Sequence, residues 1–175
     1  AWIPIVRMQL FFFKNENPII LELACGRGEY TVALAQAFPE KNFIGMDVKG
    51  ARIWKGANEV FKNKSNNAAF VRSRIEQINL FFGEEEIDEI WITFPDPQLR
   101  TSKAKRRLTH PKFLRLFKNV LKPGGNIHLK TDSPALFYFT KRVIELYGLI
   151  LVEESEDVYS KPHKQELDIK THYEG

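Results

Sequence analysis

The stretch PIILELACGRGEYTVALAQAFPEKNFIGMD, residues 18–47, contains the pattern that decides the fold. An apolar run over residues 18–23 stops at Cys-Gly-Arg-Gly and passes into residues 29–38, where apolar positions recur at helical spacing. A second apolar run occupies residues 42–47. This order predicts a strand, a tight turn, a helix and a second strand, which is how a parallel sheet begins.

The same alternation continues to the carboxyl-terminal part of the chain. The further strands are predicted at residues 68–73, 89–94, 126–131 and 148–155. Helices are predicted between them, at residues 50–63, 75–82, 111–121 and 135–148, with a proline-containing loop at 95–108 and a turn at 122–125. The sequence therefore predicts an α/β fold with a mostly parallel sheet and helices on both faces.

Length and composition favour one domain in a reducing compartment. The chain has 175 residues, 43% of them hydrophobic, which suits one α/β domain. Its single cysteine, Cys25, excludes an intramolecular disulfide and a multi-cysteine zinc site, and we predict no metal. No apolar run approaches the roughly 20 residues that span a bilayer, and the first residues lack the features of a secretory signal. We expect a cytoplasmic protein that does not bind membranes.

The charge is distributed unevenly along the chain. Residues 97–131 hold ten Lys or Arg and no Asp or Glu, although the net charge of the whole chain is only +4. This segregation predicts a basic face for a polyanion on an otherwise acidic body. A basic surface that is merely solvated is the alternative interpretation.

The first strand-to-helix junction is a candidate nucleotide site. Glu22, Cys25, Gly26 and Gly28 place backbone N–H groups, and glycines that permit close approach, where open α/β sheets bind such ligands. Asp47 ends the second strand, where its carboxylate can accept both hydroxyls of a ribose. These features suit a nicotinamide-binding domain nearly as well as a methyltransferase, and a tight turn without a ligand is a third interpretation.

The glycine pattern departs from that of a dinucleotide site, and one further feature favours a methyltransferase. Thr31 stands where the dinucleotide pattern G-x-G-x-x-G needs its third glycine, and S-adenosylmethionine has no pyrophosphate to bind. Asp96 lies between two prolines after the fourth strand and beside the basic loop, where it would face the reactive end of the cofactor.

Several segments together resemble one family. LELACGRGEY, FIGMDVKGAR, FPDPQLRTSKAKRRL, LKPGG, HLKTD and THYE, within residues 18–174, are similar to the bacterial tRNA (guanine-N7-)-methyltransferases. The resemblance implies the class I methyltransferase fold, a Rossmann-like three-layer sandwich, with S-adenosylmethionine as the cofactor. It also implies tRNA as the partner and N7 of a guanosine, expected in the variable loop, as the methylated atom.

The resemblance assigns roles to individual residues. It implies cofactor contacts by Glu22, Asp47, Arg74 and Asp96. It implies substrate contacts by Arg100, Asp132 and the run from Thr171 to Glu174. Two positions depart from the family pattern: Gln98 replaces a tryptophan, and Arg74 replaces an acid or amide near the adenine, so that Ser73 is an alternative there.

The resemblance also bears on the domain boundaries. The family continues beyond T-x-Y-E with a further, antiparallel strand. We therefore predict an N-terminal extension at residues 1–17 and a methyltransferase domain at residues 18–175 that lacks its last strand. A monomer or a weak homodimer is expected.

The chemistry of guanine N7 suggests which residues are catalytic. N7 carries a lone pair at neutral pH, so no base has to remove a proton, and catalysis is mainly alignment. We predict that Asp96 and Asp132 align the guanine and stabilise the charge that methylation leaves on its ring. A turn residue is the alternative for Asp96, and a helix N-cap next to Ser133 is the alternative for Asp132.

The basic loop is predicted to bind the tRNA backbone. The residues assigned to phosphate contacts are Lys103, Lys105, Arg106 and Arg107, and Arg100 is nearer the target nucleotide. Other interpretations are a class I methyltransferase for rRNA or a small molecule, a nicotinamide-dependent oxidoreductase, and a catalytically degenerate fold that only binds RNA.

Overall fold

The structure is a computed structural model that describes residues 8–155. A short π-helical turn, Gln9–Phe13, comes first. The strands are β1 (Ile19–Leu23), β2 (Asn42–Asp47), β3 (Ala68–Arg72), β4 (Ile87–Thr93) and β5 (Leu121–Lys130). The α-helices are α1 (Glu29–Ala37), α2 (Gly50–Lys62), α3 (Pro111–Val120) and α4 (Pro134–Leu146), and two 3₁₀ helices occupy Ile75–Leu80 and Thr101–Arg106.

The five strands form one sheet in the order β3-β2-β1-β4-β5, and every pairing is parallel. Leu23 at the end of β1 lies beside Met46 of β2 and Ile92 of β4. The carboxyl ends of these strands therefore meet at one edge of the sheet. Between β1 and β4 the strand order reverses, and this is where open α/β sheets bind their ligands. The predicted α/β fold with a parallel sheet is confirmed.

Both faces of the sheet are covered. On one face, apolar side chains of the strands pack with Ile78 from the first 3₁₀ helix and with Phe113 and Phe117 from α3. On the other face, strand residues pack with Tyr30 and Leu34 from α1. All five residues of β1 are buried because helices lie on both sides of this central strand. The result is the predicted three-layer sandwich.

β5 begins earlier than predicted. Leu121, directly after α3, pairs with Ile87 of β4, and the pairing then resumes at Asn126 with Glu89. The Lys-Pro-Gly-Gly segment at residues 122–125 is therefore a register shift within β5 rather than a turn before it. Between these two pairings, β5 has four residues whereas β4 has only one. The extra residues of β5 cause the register shift.

The predicted strand at residues 148–155 is wrong. Within the described part of the chain, residues 149–155 form neither helix nor strand, and Ile150 and Val152 are 89% and 78% exposed. An apolar run becomes a strand only if another strand pairs with its backbone groups. Among residues 8–155, no strand pairs with this segment.

The structure also bears on the predicted loop at residues 95–108, on the domain boundary and on membrane-spanning helices. The predicted loop at residues 95–108 contains the 3₁₀ helix Thr101–Arg106. The proposed boundary between residues 17 and 18 stays a prediction, and residues 1–7 and 156–175 lie outside the described part. None of the helices described between residues 8 and 155 is long and apolar enough to cross a membrane.

Candidate active site

The glycine turn after β1 is tied to the end of β2. The Gly26 backbone N–H donates a hydrogen bond of 3.0 Å to Oδ2 of Asp47, and the Cys25 N–H donates one of 3.2 Å to the Met46 carbonyl. The other carboxylate oxygen of Asp47 accepts from the Lys49 N–H at 2.8 Å. Asp47 therefore orients the turn. The fold brings Asp47 and the glycine turn together, as the sequence predicted.

Gly26 and Gly28 occupy the turn for different physical reasons. Gly28 has φ +74°, and a Cβ there would lie 2.3 Å from the Phe70 ring of β3, so packing and conformation both require glycine. Gly26 has φ +57°, but a Cβ there would meet no described atom within 4 Å. The open space over Gly26, next to the Asp47 carboxylate, is where a nucleoside-like ligand could approach the backbone.

Glu22 lies beneath this turn and is almost completely buried. One of its carboxylate oxygens accepts from the Thr31 N–H at 3.0 Å and from the Thr31 hydroxyl, and the other accepts from the Thr93 hydroxyl at 2.6 Å. Burial raises the pKa of Glu22 to about 7, although these hydrogen bonds oppose the shift. The side chain joins β1, α1 and β4 below the site.

Thr31 and Thr93 are site residues that the sequence analysis did not identify. Thr31 was noted only as a replacement for a glycine, yet it is the third residue of α1, whose N–H has no partner within the helix. The contact of Thr31 with Glu22 could have been predicted, because an acidic residue at the end of a strand can bind the first turn of the next helix. Thr93 had no comparable signal, since its contact with Glu22 depends on the pairing of β1 with β4.

Cys25 is buried within the turn. Burial, and to a smaller extent the nearby carboxylates of Glu22 and Asp47, raise the pKa of its thiol above the ordinary value. The thiol is therefore protonated at neutral pH, and Cys25 acts through its backbone and its volume rather than as a nucleophile.

Asp96 lies in a strained loop at the end of β4. The residues on either side of the Pro-Asp-Pro sequence, Phe94 and Gln98, have φ values of 45° and 47°, which are uncommon for residues other than glycine. The Gln98 N–H donates a hydrogen bond of 2.9 Å to Oδ1 of Asp96. Asp96 therefore stabilises the turn, as the alternative interpretation predicted, while its exposed carboxylate still faces solvent at the ligand edge of the sheet.

The loop around Asp96 is fastened by Arg107. Its Nε donates to the carbonyl oxygens of Pro97 and Gln98 at 3.1 and 3.3 Å, and its Nη2 donates to the Gln98 carbonyl at 3.2 Å. The guanidinium carbon lies 4.4 Å from the centre of the Phe139 ring of α4.

Asp132 lies at the neighbouring strand end. Lys130, the last residue of β5, pairs with Thr93, so Asp132 follows β5 at the same edge at which Asp96 follows β4. Asp132 is exposed. Ser133, not Asp132, is the N-cap of α4, because its hydroxyl accepts from the Leu136 N–H at 3.3 Å. The N-cap interpretation of Asp132 is therefore wrong.

Lys130 is a further residue that the sequence analysis did not assign. Its side chain is buried, and its ammonium lies 5.5 Å from the Phe94 ring centre and 5.9 Å from that of Tyr30. Its carbonyl accepts from the Phe94 N–H at 2.8 Å. Lys130 thereby holds the first residue of the Asp96 loop against β5.

The segment after β3 lies beside Asp47. The Ser73 N–H donates to the Asp47 carbonyl at 3.1 Å, and the Ser73 hydroxyl bonds to Oε1 of Gln77 at 3.0 Å. Ser73 is buried and Arg74 is exposed. Both are near Asp47, and the adenine contact predicted for Arg74 or Ser73 stays a prediction.

The basic residues of the loop are on its surface, near Asp96 in the chain. Arg100, Lys105 and Arg106 are exposed, and Lys103 is half-buried. Thr171 and Glu174 lie outside the described residues. Within residues 8–155, no group of three or more histidine, cysteine or acidic side chains could hold a metal ion.

The sheet order, with a candidate site at its switch point, is that of an open α/β fold that binds ligands at this edge. A solved structure described as an antibiotic-related methyltransferase has the same fold, with a TM-score of 0.64 and 16% sequence identity. The similarity covers 85% of this chain and 77% of that one. A family model described as a putative methyltransferase matches residues 16–175.

The sequence relatives identify the family within this class. The chain is 54% identical, over 93% of its length and 67% of the relative's, to the tRNA (guanine-N(7)-)-methyltransferase of Porphyromonas gingivalis. It is 51% identical to the protein of the same name from Bacteroides fragilis, over 93% of this chain and 64% of that one. The chain belongs to the tRNA (guanine-N(7)-)-methyltransferase family, and it spans about two thirds of the length of these two relatives.

Proposed function

We infer that this protein transfers a methyl group from S-adenosylmethionine to N7 of a guanosine in tRNA, giving 7-methylguanosine. The observation that carries this function is a set of carboxylates at one edge of the sheet in a chain of this family. Asp47, Asp96 and Asp132 are at or just beyond the ends of β2, β4 and β5, around the switch point next to β1. The family membership supports this reaction, and the carboxylates could provide the groups that it needs.

The residues of the first two strand ends suit S-adenosylmethionine, which supplies the methyl group when bound. Asp47 is placed to accept hydrogen bonds from the ribose hydroxyls, because its carboxylate borders the open space over Gly26. The buried carboxyl of Glu22 is bonded on both oxygens by Thr31 and Thr93, so we propose that it supports the turn from below.

Asp96 and Asp132 would act on the guanine. A carboxylate can accept hydrogen bonds from guanine N1–H and from the exocyclic amine, which distinguishes guanine from adenine. Bound S-adenosylmethionine would supply the methyl group, and N7 would need no base because it has its own lone pair. The guanine ring becomes positively charged, and a nearby carboxylate favours this charge. Alignment of the reacting atoms accounts for most of the catalysis.

The basic loop would hold the tRNA. Arg100, Lys103, Lys105 and Arg106 follow Asp96 directly and are wholly or partly exposed, which suits contacts with phosphates on either side of the target nucleotide. We propose that the target lies in the variable loop and that the guanosine leaves its tertiary contacts before N7 can be reached.

The cellular setting follows from the substrate. We propose a cytoplasmic protein, because its free cysteine suits a reducing compartment and tRNA is available there. A monomer or weak homodimer is proposed as the active form.

The experiment that tests this function is methyl transfer from labelled S-adenosylmethionine to bulk tRNA. Borohydride reduction and aniline treatment should then cleave the tRNA at a single guanosine, and sequencing of the fragments should place it in the variable loop. Asp96→Asn is the control that should bind the cofactor but yield little cleavage. Label transferred to rRNA in a parallel reaction but not to tRNA, or cofactor binding without any transfer, would support the competing interpretations.

A further inference from the structure

Arg107 differs in its contacts from the other basic residues of its loop. Lys105 and Arg106 are exposed, whereas Arg107 is half-buried and directs its guanidinium back toward the Asp96 loop. Its three hydrogen bonds to the Pro97 and Gln98 carbonyls are between 3.1 and 3.3 Å long. The sequence assigned Arg107 to tRNA phosphates together with its neighbours, but these contacts direct its charge to the protein backbone.

We propose that Arg107 is a positioning residue that fixes the catalytic carboxylates relative to each other, rather than a tRNA contact. The proposal rests on the proposed roles of Asp96 and Asp132. The guanidinium binds the backbone immediately after Asp96, and its central carbon lies over the Phe139 ring of α4, 4.4 Å from the ring centre. α4 begins directly after Asp132, with Ser133 as its N-cap.

The conformation of the Asp96 loop explains why it needs such a contact. Phe94 and Gln98 both have left-handed backbone conformations, which are unfavourable for residues other than glycine and persist only if surrounding contacts impose them. On the Phe94 side, the contact is the hydrogen bond from its N–H to the Lys130 carbonyl. On the Gln98 side, Arg107 binds the carbonyl of the strained residue itself.

Phe139 lies in a region where the segment after Arg107 packs against α4. The Phe139 ring also stacks on His110, with ring centres 6.4 Å apart, and the hydroxyls of Thr109 and Thr140 bond at 2.8 Å. The segment that follows Arg107 is therefore packed against α4 at several points. Because of these contacts, a displacement of α4 would also move the loop that carries Asp96.

The geometry requires arginine and not only a positive charge. A planar guanidinium can donate two hydrogen bonds to neighbouring carbonyls and stack its face on an aromatic ring at the same time, whereas an ammonium provides a compact charge without this fork. A phosphate contact has a weaker requirement, since lysine also binds phosphates as a point charge. Arg107→Lys therefore separates the two roles.

The test measures the single-turnover rate of methyl transfer at saturating S-adenosylmethionine and tRNA. Arg107→Ala and Arg107→Lys should both lower this rate by about 10²-fold, the loss expected when reacting groups are misplaced by about 1 Å. Their tRNA affinity and its salt dependence should stay near the wild-type values. Arg106→Ala is the matched comparison, and unlike the Arg107 variants it should weaken tRNA binding and reduce its salt dependence. Arg107→Lys with a rate within about twofold of wild type would overturn the proposal.

A second measurement does not depend on activity. Amide hydrogen exchange over residues 94–100 should become faster in Arg107→Ala and Arg107→Lys, and it should stay unchanged in Arg106→Ala. If Arg107→Ala does not fold, Phe139→Leu removes the stacking partner instead and should also accelerate this exchange. Phe137→Leu is its control on the same helix, because Phe137 contacts Lys141.

The two measurements also distinguish this proposal from the proposed function. If the wild-type protein methylates no tRNA, the proposed function fails, but faster exchange in both Arg107 variants still shows that Arg107 fixes the loop. If exchange over residues 94–100 does not change in either variant, the positioning role is refuted, whatever the activity of the wild type.

Discussion

Replacing Asp47 with alanine should weaken S-adenosylmethionine binding more than tenfold. The ribose hydroxyls would lose a charged acceptor, and a hydrogen bond to a charged group contributes about 1.5–3 kcal/mol. Both oxygens of Asp47 already accept a backbone N–H, from Gly26 and from Lys49, which lowers the expected value toward the small end of this range. One bond of about 1.5 kcal/mol already corresponds to tenfold in Kd.

Titration calorimetry with the cofactor measures this Kd. A control variant is also needed, one that loses folding stability but keeps the ribose contacts. Asp88→Ala provides it. Asp88 accepts a backbone N–H from Ile19 at 2.8 Å, at the opposite edge of the same sheet. Both variants should lower the free energy of unfolding by about 1–3 kcal/mol. Only Asp47→Ala should weaken cofactor binding. An unchanged Kd in folded Asp47→Ala would refute the placement of the ribose.

Three further predictions concern pH, catalysis and RNA binding. Burial raises the pKa of Glu22 from 4.5 to about 7, so the folded protein keeps a proton that the unfolded chain releases. The free energy of unfolding should therefore fall by roughly 3 kcal/mol as the pH rises from about 4.5 to 7, and this fall should be absent in Glu22→Gln when urea titrations are compared across that range. Asp96→Asn should lower the single-turnover rate by about 10²-fold while the calorimetric Kd of the cofactor changes less than tenfold; a rate near wild type would transfer the catalytic role to Asp132. Joint replacement of Lys103, Lys105 and Arg106 by alanine should weaken tRNA binding and reduce the log–log salt slope by about 2 to 3, and an unchanged slope would make the basic loop a solvated surface.

The pairing of β1 with β4 limits what a sequence can predict about Glu22. Its position at the end of an apolar run predicted a ligand site, and the structure places it against the first turn of α1, next to the glycine turn. Its contact with Thr93 joins residues that are 71 positions apart, and neither residue's local pattern contains that information. The raised pKa likewise depends on helices that cover both faces of β1.

The sequence by itself determined the alternation of strands and helices, the glycine turn with Asp47 about 20 residues later, and the separation of basic from acidic segments. These features are local, because periodicity, turn residues and charge act over a few positions. Even the family was indicated by short motifs such as FPDPQLR and HLKTD.

Tertiary structure alone decided the order of the strands, the loss of the predicted strand at 148–155, and the difference between Arg106 and Arg107. These two arginines are adjacent and identical in type, so composition and spacing treat them alike. Arg106 is exposed, whereas Arg107 meets the carbonyls of residues 97 and 98 and a ring on α4. The physical reason is that hydrogen bonds and stacking depend on which distant groups the fold brings within about 3 to 5 Å, and a linear pattern does not specify those neighbours.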